Sequence, residues 1–257
     1  MNIVPENKAG IMSDIKSKPL FHWAEISNYL SQEVFEVLNE SYPHIDMFEK
    51  HTGIERIYSQ RPHDRYYLAY DNSIYSGDNQ GKGIIKHDEL SGIWKEFVVE
   101  ILQNDEYHAF IREALEVENF EIRLAWHMAF NNCEVSPHLD APEKYGTHIF
   151  YFNTDKDWKK EWGGETVLME GKSVNSMNPE FTEFKRQSAV SSIINNKSFI
   201  FQNSDVSWHG VKKINCPDGN FRRIFTVVFE KKGARAKTRK QPSRAKKIIK
   251  KISKIWK

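Results

Sequence analysis

The feature that most constrains this chain is a change of hydrophobic period near residue 120. Before it, apolar residues recur at helical spacing. Val34, Phe35, Val37 and Leu38 follow Ser31, and Ile93, Trp94, Phe97, Val98, Ile101 and Leu102 follow Ser91. A serine just ahead of such a stretch can accept a hydrogen bond from the first helical turn, so both serines read as N-caps. A third helix is expected over 107–115. After residue 120, short runs rich in β-branched and aromatic residues alternate with turn residues, at 121–130, 147–153, 165–169, 189–194, 198–202 and 222–230. Helices first and strands afterwards predict an α+β chain whose second half is a β-sandwich or barrel.

At 257 residues the chain is long enough for one domain with a large core. The expected division is a flexible leader over 1–18, a helical and loop region over 19–119, a strand-built core over 120–230 and a basic tail over 231–257. Residues 44–90, polar and rich in Tyr, Asp, Gly and His, are expected as irregular loops. The formal charge of +2 hides an asymmetry, because residues 231–257 carry thirteen Lys and Arg and no Asp or Glu. The remaining body is acidic, which argues against a surface that grips nucleic-acid phosphates. Only Cys133 and Cys216 are present, and both are expected as reduced thiols. With no signal-like apolar run in the first twenty residues and no stretch of 18 apolar residues, a cytoplasmic location is the expectation.

The chemistry concentrates in Ser-Pro-His138-Leu-Asp140. In an extended segment residues i and i+2 point to one face, so His138 and Asp140 can offer a ring nitrogen and a carboxylate oxygen to the same ion. A distant second histidine would complete a two-histidine, one-carboxylate facial set, the arrangement typical of non-haem Fe(II) with positions left open. His209, in Trp208-His209-Gly210-Val211, is the best match. His63-Asp64 and His87-Asp88 compete poorly, because adjacent side chains diverge in a strand. An HxD triplet alone is weak evidence, and a surface turn is its bland reading.

Four blocks surround the triplet: PHLD, THIFYFN, WGGETVLM, and SFIFQNSDVSWHGVKKI followed by RRIFTVVFE. In this order they resemble the Fe(II)/2-oxoglutarate-dependent oxygenase superfamily, in particular its prolyl-4-hydroxylase-like branch, over roughly residues 121–230. The resemblance implies a double-stranded β-helix (jelly-roll) core with N-terminal helices packed against it; the basic C-terminal tail helix expected beyond it is read from its own residues. It implies a hydroxylase that binds Fe(II), 2-oxoglutarate and O2, supported by ascorbate, and releases succinate and CO2. His138, Asp140 and His209 map onto the metal ligands, and Arg222 onto the residue that binds the distal carboxylate of 2-oxoglutarate. A planar guanidinium grips a carboxylate through two parallel hydrogen bonds, which suits that role. Arg222 and Thr226 match the family's R-x-x-x-T, with Arg223 as fallback because the gap from His209 is longer than usual. Tyr151 maps beside the same carboxylate and Thr147 onto the pocket wall. For the near end of the co-substrate, Phe130, Asn131, Asn132 and His127 all stay open.

Beyond Pro242, Ala245, Ile248, Ile249, Ile252, Ile255 and Trp256 fall on one helical face with lysines filling the rest. A basic amphipathic helix of this kind suits the anionic inner face of a membrane, with nucleic acid or a partner protein as rivals and a solvated tail as the bland reading. Peptidyl, amino-acid and saccharide substrates are all compatible with the sequence. Two other functions stay open: a cupin-like metal enzyme of another class, and a non-catalytic binding module on an oxygenase scaffold.

Overall fold

The computed structural model describes residues 1, 3–53, 61–73 and 82–234. The expected tail helix over 243–257 lies outside the described residues. Four α-helices are present among them: α1 Lys8–Lys16, α2 Gln32–Glu40, α3 Gly92–Gln103 and α4 Asp105–Leu115. Strands β1 Trp23–Ser27, β2 Glu49–His51, β3 Arg65–Tyr70 and β4 Ile84–Ile85 precede the period change. After it come β5 Glu121–Ala129, β6 Val135–His138, β7 Lys144–Tyr151, β8 Thr166–Lys172, β9 Phe184–Val190, β10 Lys197–Gln202, β11 His209–Val211 and β12 Arg222–Glu230.

These strands form two sheets. The larger runs β1-β10-β7-β12-β5-β3-β2, with β4 added parallel to β3, and the smaller runs β6-β11-β8-β9. Apart from the β3–β4 pair the ladders are antiparallel, as a jelly-roll core requires. Strand alternation decides what each sheet face buries. On β7, Phe150 and, just past its end, Phe152 join the cluster of Trp94, Phe97 and Phe110 from the helices, whereas Ile149 and Tyr151 pack with Leu168 of the smaller sheet. On β12, Phe225, Val227 and Phe229 face the helices and Ile224 faces the other sheet. The helices therefore seal one side of the large sheet, and the small sheet covers the other. Both N-cap expectations fall at helix starts, Ser31 ahead of α2 with its hydroxyl accepting from Val34 N at 3.3 Å, and Ser91 ahead of α3 without a side-chain bond.

Three expectations need correction. Residues 1–18 are not a loose leader: α1 is capped by the Asn7 side chain, and Ile3, Met12 and Ile15 are buried in the helix-side core. One short helix with so few apolar residues gives little periodic signal. The 44–90 region is not all irregular, because β2, β3 and β4 extend the large sheet past β5, burying Tyr67, Leu68 and Ala69. The run expected as a strand over 189–194 is displaced: the strand is β9, which ends at Val190, and residues 191–194 beyond it belong to no strand, with Ser191 N donating to Thr166 O at 2.9 Å and Ile194 bridged to Asn153. β9 is a largely exposed edge strand, and so lacks the apolar alternation that a half-buried strand displays. Cys133 and Cys216 are free and buried, as expected.

Candidate metal centre and co-substrate pocket

β6 and β11 are neighbours in the small sheet, and their register sets His138 directly opposite His209. The two rings lie 4.3 Å apart, centre to centre. Asp140, two residues past His138 at the strand's end, turns its Oδ2 to 3.8 Å from His209 Nε2. One ligand-type atom from each of the three side chains falls within 4.8 Å of the others. The ladder thus closes the 69-residue gap between Asp140 and His209 that sequence spacing leaves open.

The donor set fits a divalent metal on tautomer grounds as well as on distance. His138 Nδ1 lies 2.9 Å from Ser136 O, and His209 Nδ1 lies 2.9 Å from Ser207 O. A carbonyl can only accept, so each Nδ1 carries the proton and donates it, which leaves both Nε2 lone pairs free for a metal. Burial, followed by the neighbouring His209, pushes His138 down to about 3, and burial also lowers His209. Both imidazoles are therefore neutral at physiological pH. Burial opposes ionisation of Asp140, but Lys144 and the two histidines outweigh it and hold the carboxyl below its ordinary range. Lys144 Nζ donates to Asp140 Oδ1 at 2.5 Å.

Behind this cluster, Arg222 opens β12 and is only 4% exposed. Its Nη2 donates to Thr166 Oγ1 at 3.3 Å, its guanidinium carbon lies 5.4 Å from the Tyr151 ring centre, and its Nε is buried without a partner. Burial lowers its pKa, yet an arginine stays charged, so a buried guanidinium with an unpaired donor calls for an anion. A carboxylate of a small diacid meets that need. Arg223 is the contrasting neighbour: it points to the opposite face, ion-pairs with Asp157 and lies over the Tyr42 ring. The fallback arginine is already engaged.

Tyr151 is fully buried, donates to Ser191 Oγ at 3.0 Å and meets Thr166 Oγ1 at 2.8 Å. Thr147, also buried, lies on the same face of β7 as Tyr151. Thr166 and Ser191 escaped sequence reasoning, although Thr166 follows the Gly-Gly block at the start of a core strand. Both glycines have positive φ. A Cβ on Gly164 would lie 3.0 Å from Arg222 Cδ, and one on Gly163 would lie 2.4 Å from Lys213 O. The turn is thus bare because the arginine and a neighbouring backbone occupy the space.

The residues proposed for the near end of the co-substrate separate. His127 Nε2 donates to Thr226 Oγ1 at 3.0 Å, and that hydroxyl donates to Ala125 O at 3.2 Å. Phe130 packs edge-on against Tyr66, Asn131 Oδ1 is buried without a partner, and Asn132 faces a separate cavity beside β6.

A family model described as the 2OG-Fe(II) oxygenase superfamily matches residues 124–230, the span from β5 through β12 that holds all six of these side chains. That superfamily is one of enzymes that use Fe(II), 2-oxoglutarate and O2. The fold is similar to a prolyl-4-hydroxylase from Pseudomonas putida, with TM-score 0.56 and 13% identity over 88% of this chain and 100% of that one. A 2OG-Fe(II) oxygenase family oxidoreductase from Burkholderia pseudomallei gives 0.53 and 12%, over 90% and 94%. HygX from Streptomyces hygroscopicus, solved with nickel and 2-oxoglutarate bound, gives 0.53 and 7%, over 89% and 87%. No curated protein matches the chain by sequence. At such identities the oxygenase likeness to solved structures is one of fold.

Proposed function

We propose that this chain is an Fe(II)- and 2-oxoglutarate-dependent dioxygenase that hydroxylates a C–H bond. His138, Asp140 and His209 hold the iron; Arg222 and Tyr151 seat the distal carboxylate of 2-oxoglutarate, with Thr147 on the wall. The observation that carries this reading is the pairing of His138 with His209 across the β6–β11 ladder, with the Asp140 carboxylate beside both. When bound, iron and 2-oxoglutarate supply the oxidising power, one atom of O2 entering succinate as CO2 leaves and the other entering the substrate as hydroxyl. The chain's part is positional. Ser136 and Ser207 hold the two imidazoles in one tautomer, and Asp140 supplies the charge that balances part of the metal's. Arg222 and the Tyr151–Thr166–Ser191 hydroxyls fix the diacid's far end, with the aromatic rings of the core excluding water.

The test is succinate release from 2-oxoglutarate with Fe(II) and ascorbate, run beside equilibrium binding of 2-oxoglutarate to Ni(II)-loaded protein. Turnover and binding support the reading; a folded, metal-loaded protein with no affinity for 2-oxoglutarate defeats it. A cupin-like enzyme of another class would not need Arg222 and Tyr151 as a clamp.

The thirteen basic residues in 231–257 support a second, separable reading: peripheral binding at the anionic inner face of a membrane from a cytoplasmic location. Sedimentation with anionic liposomes, with and without residues 233–257, tests it, and equal sedimentation of both chains discards it.

A further inference from the structure

Each of the three side chains at the metal centre carries two atoms that can bind an ion, and in each the structure occupies one of them. His138 and His209 give their Nδ1 protons to the Ser136 and Ser207 carbonyls, which leaves one Nε2 apiece. Asp140 differs from the histidines, because either carboxylate oxygen, or both together, can bind a cation. Its two oxygens sit in unlike settings. Oδ2 lies 3.8 Å from His209 Nε2, inside the cluster, while Oδ1 accepts from Lys144 Nζ at 2.5 Å.

The backbone places Lys144 for this contact. Lys144 opens β7, and the turn that joins it to Asp140 is closed by Lys144 N donating to Ala141 O at 2.9 Å. Asn203, just past the end of β10, holds both ends of that turn: its Nδ2 donates to Ala141 O and to Lys144 O, each at 3.0 Å. Asn203 Oδ1 accepts from Ser207 Oγ at 3.4 Å, so the loop that orients His209 also fixes the backbone of the lysine. With the Lys144 and Asp140 side chains 23% and 10% exposed, the pair is shielded from water and salt, unlike the exposed ion pairs that contribute little.

We infer that Lys144 is a positioning residue that restricts Asp140 to binding the metal through one oxygen. A carboxylate that chelates through both oxygens takes one more position on the ion than a carboxylate that binds through one. The 2-oxoglutarate and O2 of the proposed reaction need the positions that remain. The ammonium on Oδ1 keeps the second oxygen from taking one of them, although it places a positive charge beside a cation site. This role rests on the metal reading of the cluster. Two properties should therefore move in opposite directions when Lys144 is removed: the site should hold a divalent ion more tightly and turn over more slowly.

The probe is Mn(II), added anaerobically to the full chain without 2-oxoglutarate. Metal-bound waters are counted from the broadening of its EPR lines in oxygen-17-enriched water, and affinity is read from the free-ion signal. Lys144→Met and Lys144→Ala should each hold one metal-bound water fewer than wild type and bind Mn(II) ~3–10-fold more tightly, since a like charge beside the site is gone. Both truncations keep the bonds from Asn203 to the turn, which are made to backbone carbonyls. Lys144→Arg, which keeps a charged donor, should keep the wild-type water count. With Fe(II), succinate release should fall ~10-fold or more in the two truncations. A lysine that only stabilises the fold gives a different result, weaker Mn(II) binding with the water count unchanged. An unchanged count in both truncations, or weaker binding in both, overturns the role of Lys144. A wild-type chain that binds no Mn(II) overturns the metal reading itself and this role with it, so the two failures are distinguishable.

Discussion

The two faces of the large sheet are built from the same strands and do opposite work. On β7, Phe150 joins a closed aromatic layer with Trp94, Phe97 and Phe225, while Tyr151, one residue later, belongs to a face with Thr147, Arg222 and Thr226. The helix side is apolar and filled. The inner side keeps a buried guanidinium, hydroxyls and histidines, a composition that weakens a core but can hold a diacid and a metal. Stability and chemistry are thus divided between alternate residues of single strands, and substitutions on the two faces should separate them.

The largest expected effect is on the inner side. His138→Ala removes one of the three ligand atoms, and succinate release should fall by far more than the ~10–100-fold that loss of a ligand's outer partner costs. Because the side chain faces a polar site, thermal unfolding of the metal-free protein should move by only a few degrees. Retained turnover, or collapse of the fold, would break the division. On the helix side, Trp94→Ala should do the reverse. The indole is fully buried, touches Phe97, Trp126, Phe152 and Phe225 at ring separations of 5.2–5.7 Å, and donates to Leu38 O at 3.2 Å. Its loss should cost about 3–5 kcal/mol in denaturant unfolding. Below the unfolding range, 2-oxoglutarate affinity per folded molecule should be unchanged.

A finer comparison lies within one dipeptide. Arg222 and Arg223 are consecutive, yet one is buried beside Thr166 and Tyr151 and the other pairs with Asp157 on the opposite face. Arg222→Lys should weaken 2-oxoglutarate binding by ~10–100-fold, because a point charge cannot reproduce a two-pronged grip. Arg223→Lys should change it by less than about twofold. Equal losses in the two variants, read by the same titration, would mean that the alternation of β12 does not decide which arginine meets the ligand.

Much of this division was legible in the sequence, and the exceptions have physical causes. Alternation along 147–153 and 222–230 separates Tyr151 from Phe150 and Arg222 from Arg223 without any coordinates. The i, i+2 geometry brings His138 and Asp140 together in the same way. What alternation does not contain is which strand lies opposite which. Thr166 and Ser191 are 25 residues apart and meet Tyr151 only because β8 faces β7 across the core, so neither carries a local mark. Residues 189–194 read as a strand because Val190, Ile193 and Ile194 make a short β-rich run, but Ser191 and Ile193 are buried beyond the end of β9 and not in a ladder. β3 was hidden by its setting among polar residues; it is buried as an addition to β5, a tertiary fact.

The last expected effect concerns a buried histidine on the helix side. His148 is fully buried, with Nδ1 3.1 Å from the Tyr107 hydroxyl and Nε2 without a partner, and burial alone pushes it down to about 3. In the unfolded chain the same ring titrates near 6.5. Above 6.5 both states are neutral and no pH dependence arises from it. As pH falls from 6.5 toward 3, the unfolded chain takes up a proton that the folded one refuses, so stability is lost at about 1.4 kcal/mol per pH unit. His138 and His209 act in the same direction in metal-free protein, so the wild-type slope alone does not isolate His148. The difference in slope does, because the packing cost of a His148→Gln replacement is the same at each pH and cancels. Urea unfolding between pH 6.5 and 4.5 should show the variant's stability falling less steeply by about one proton's worth. Parallel slopes would mean that His148 accepts a proton inside the fold, and the helix side would then not be the closed apolar layer that its aromatic packing describes.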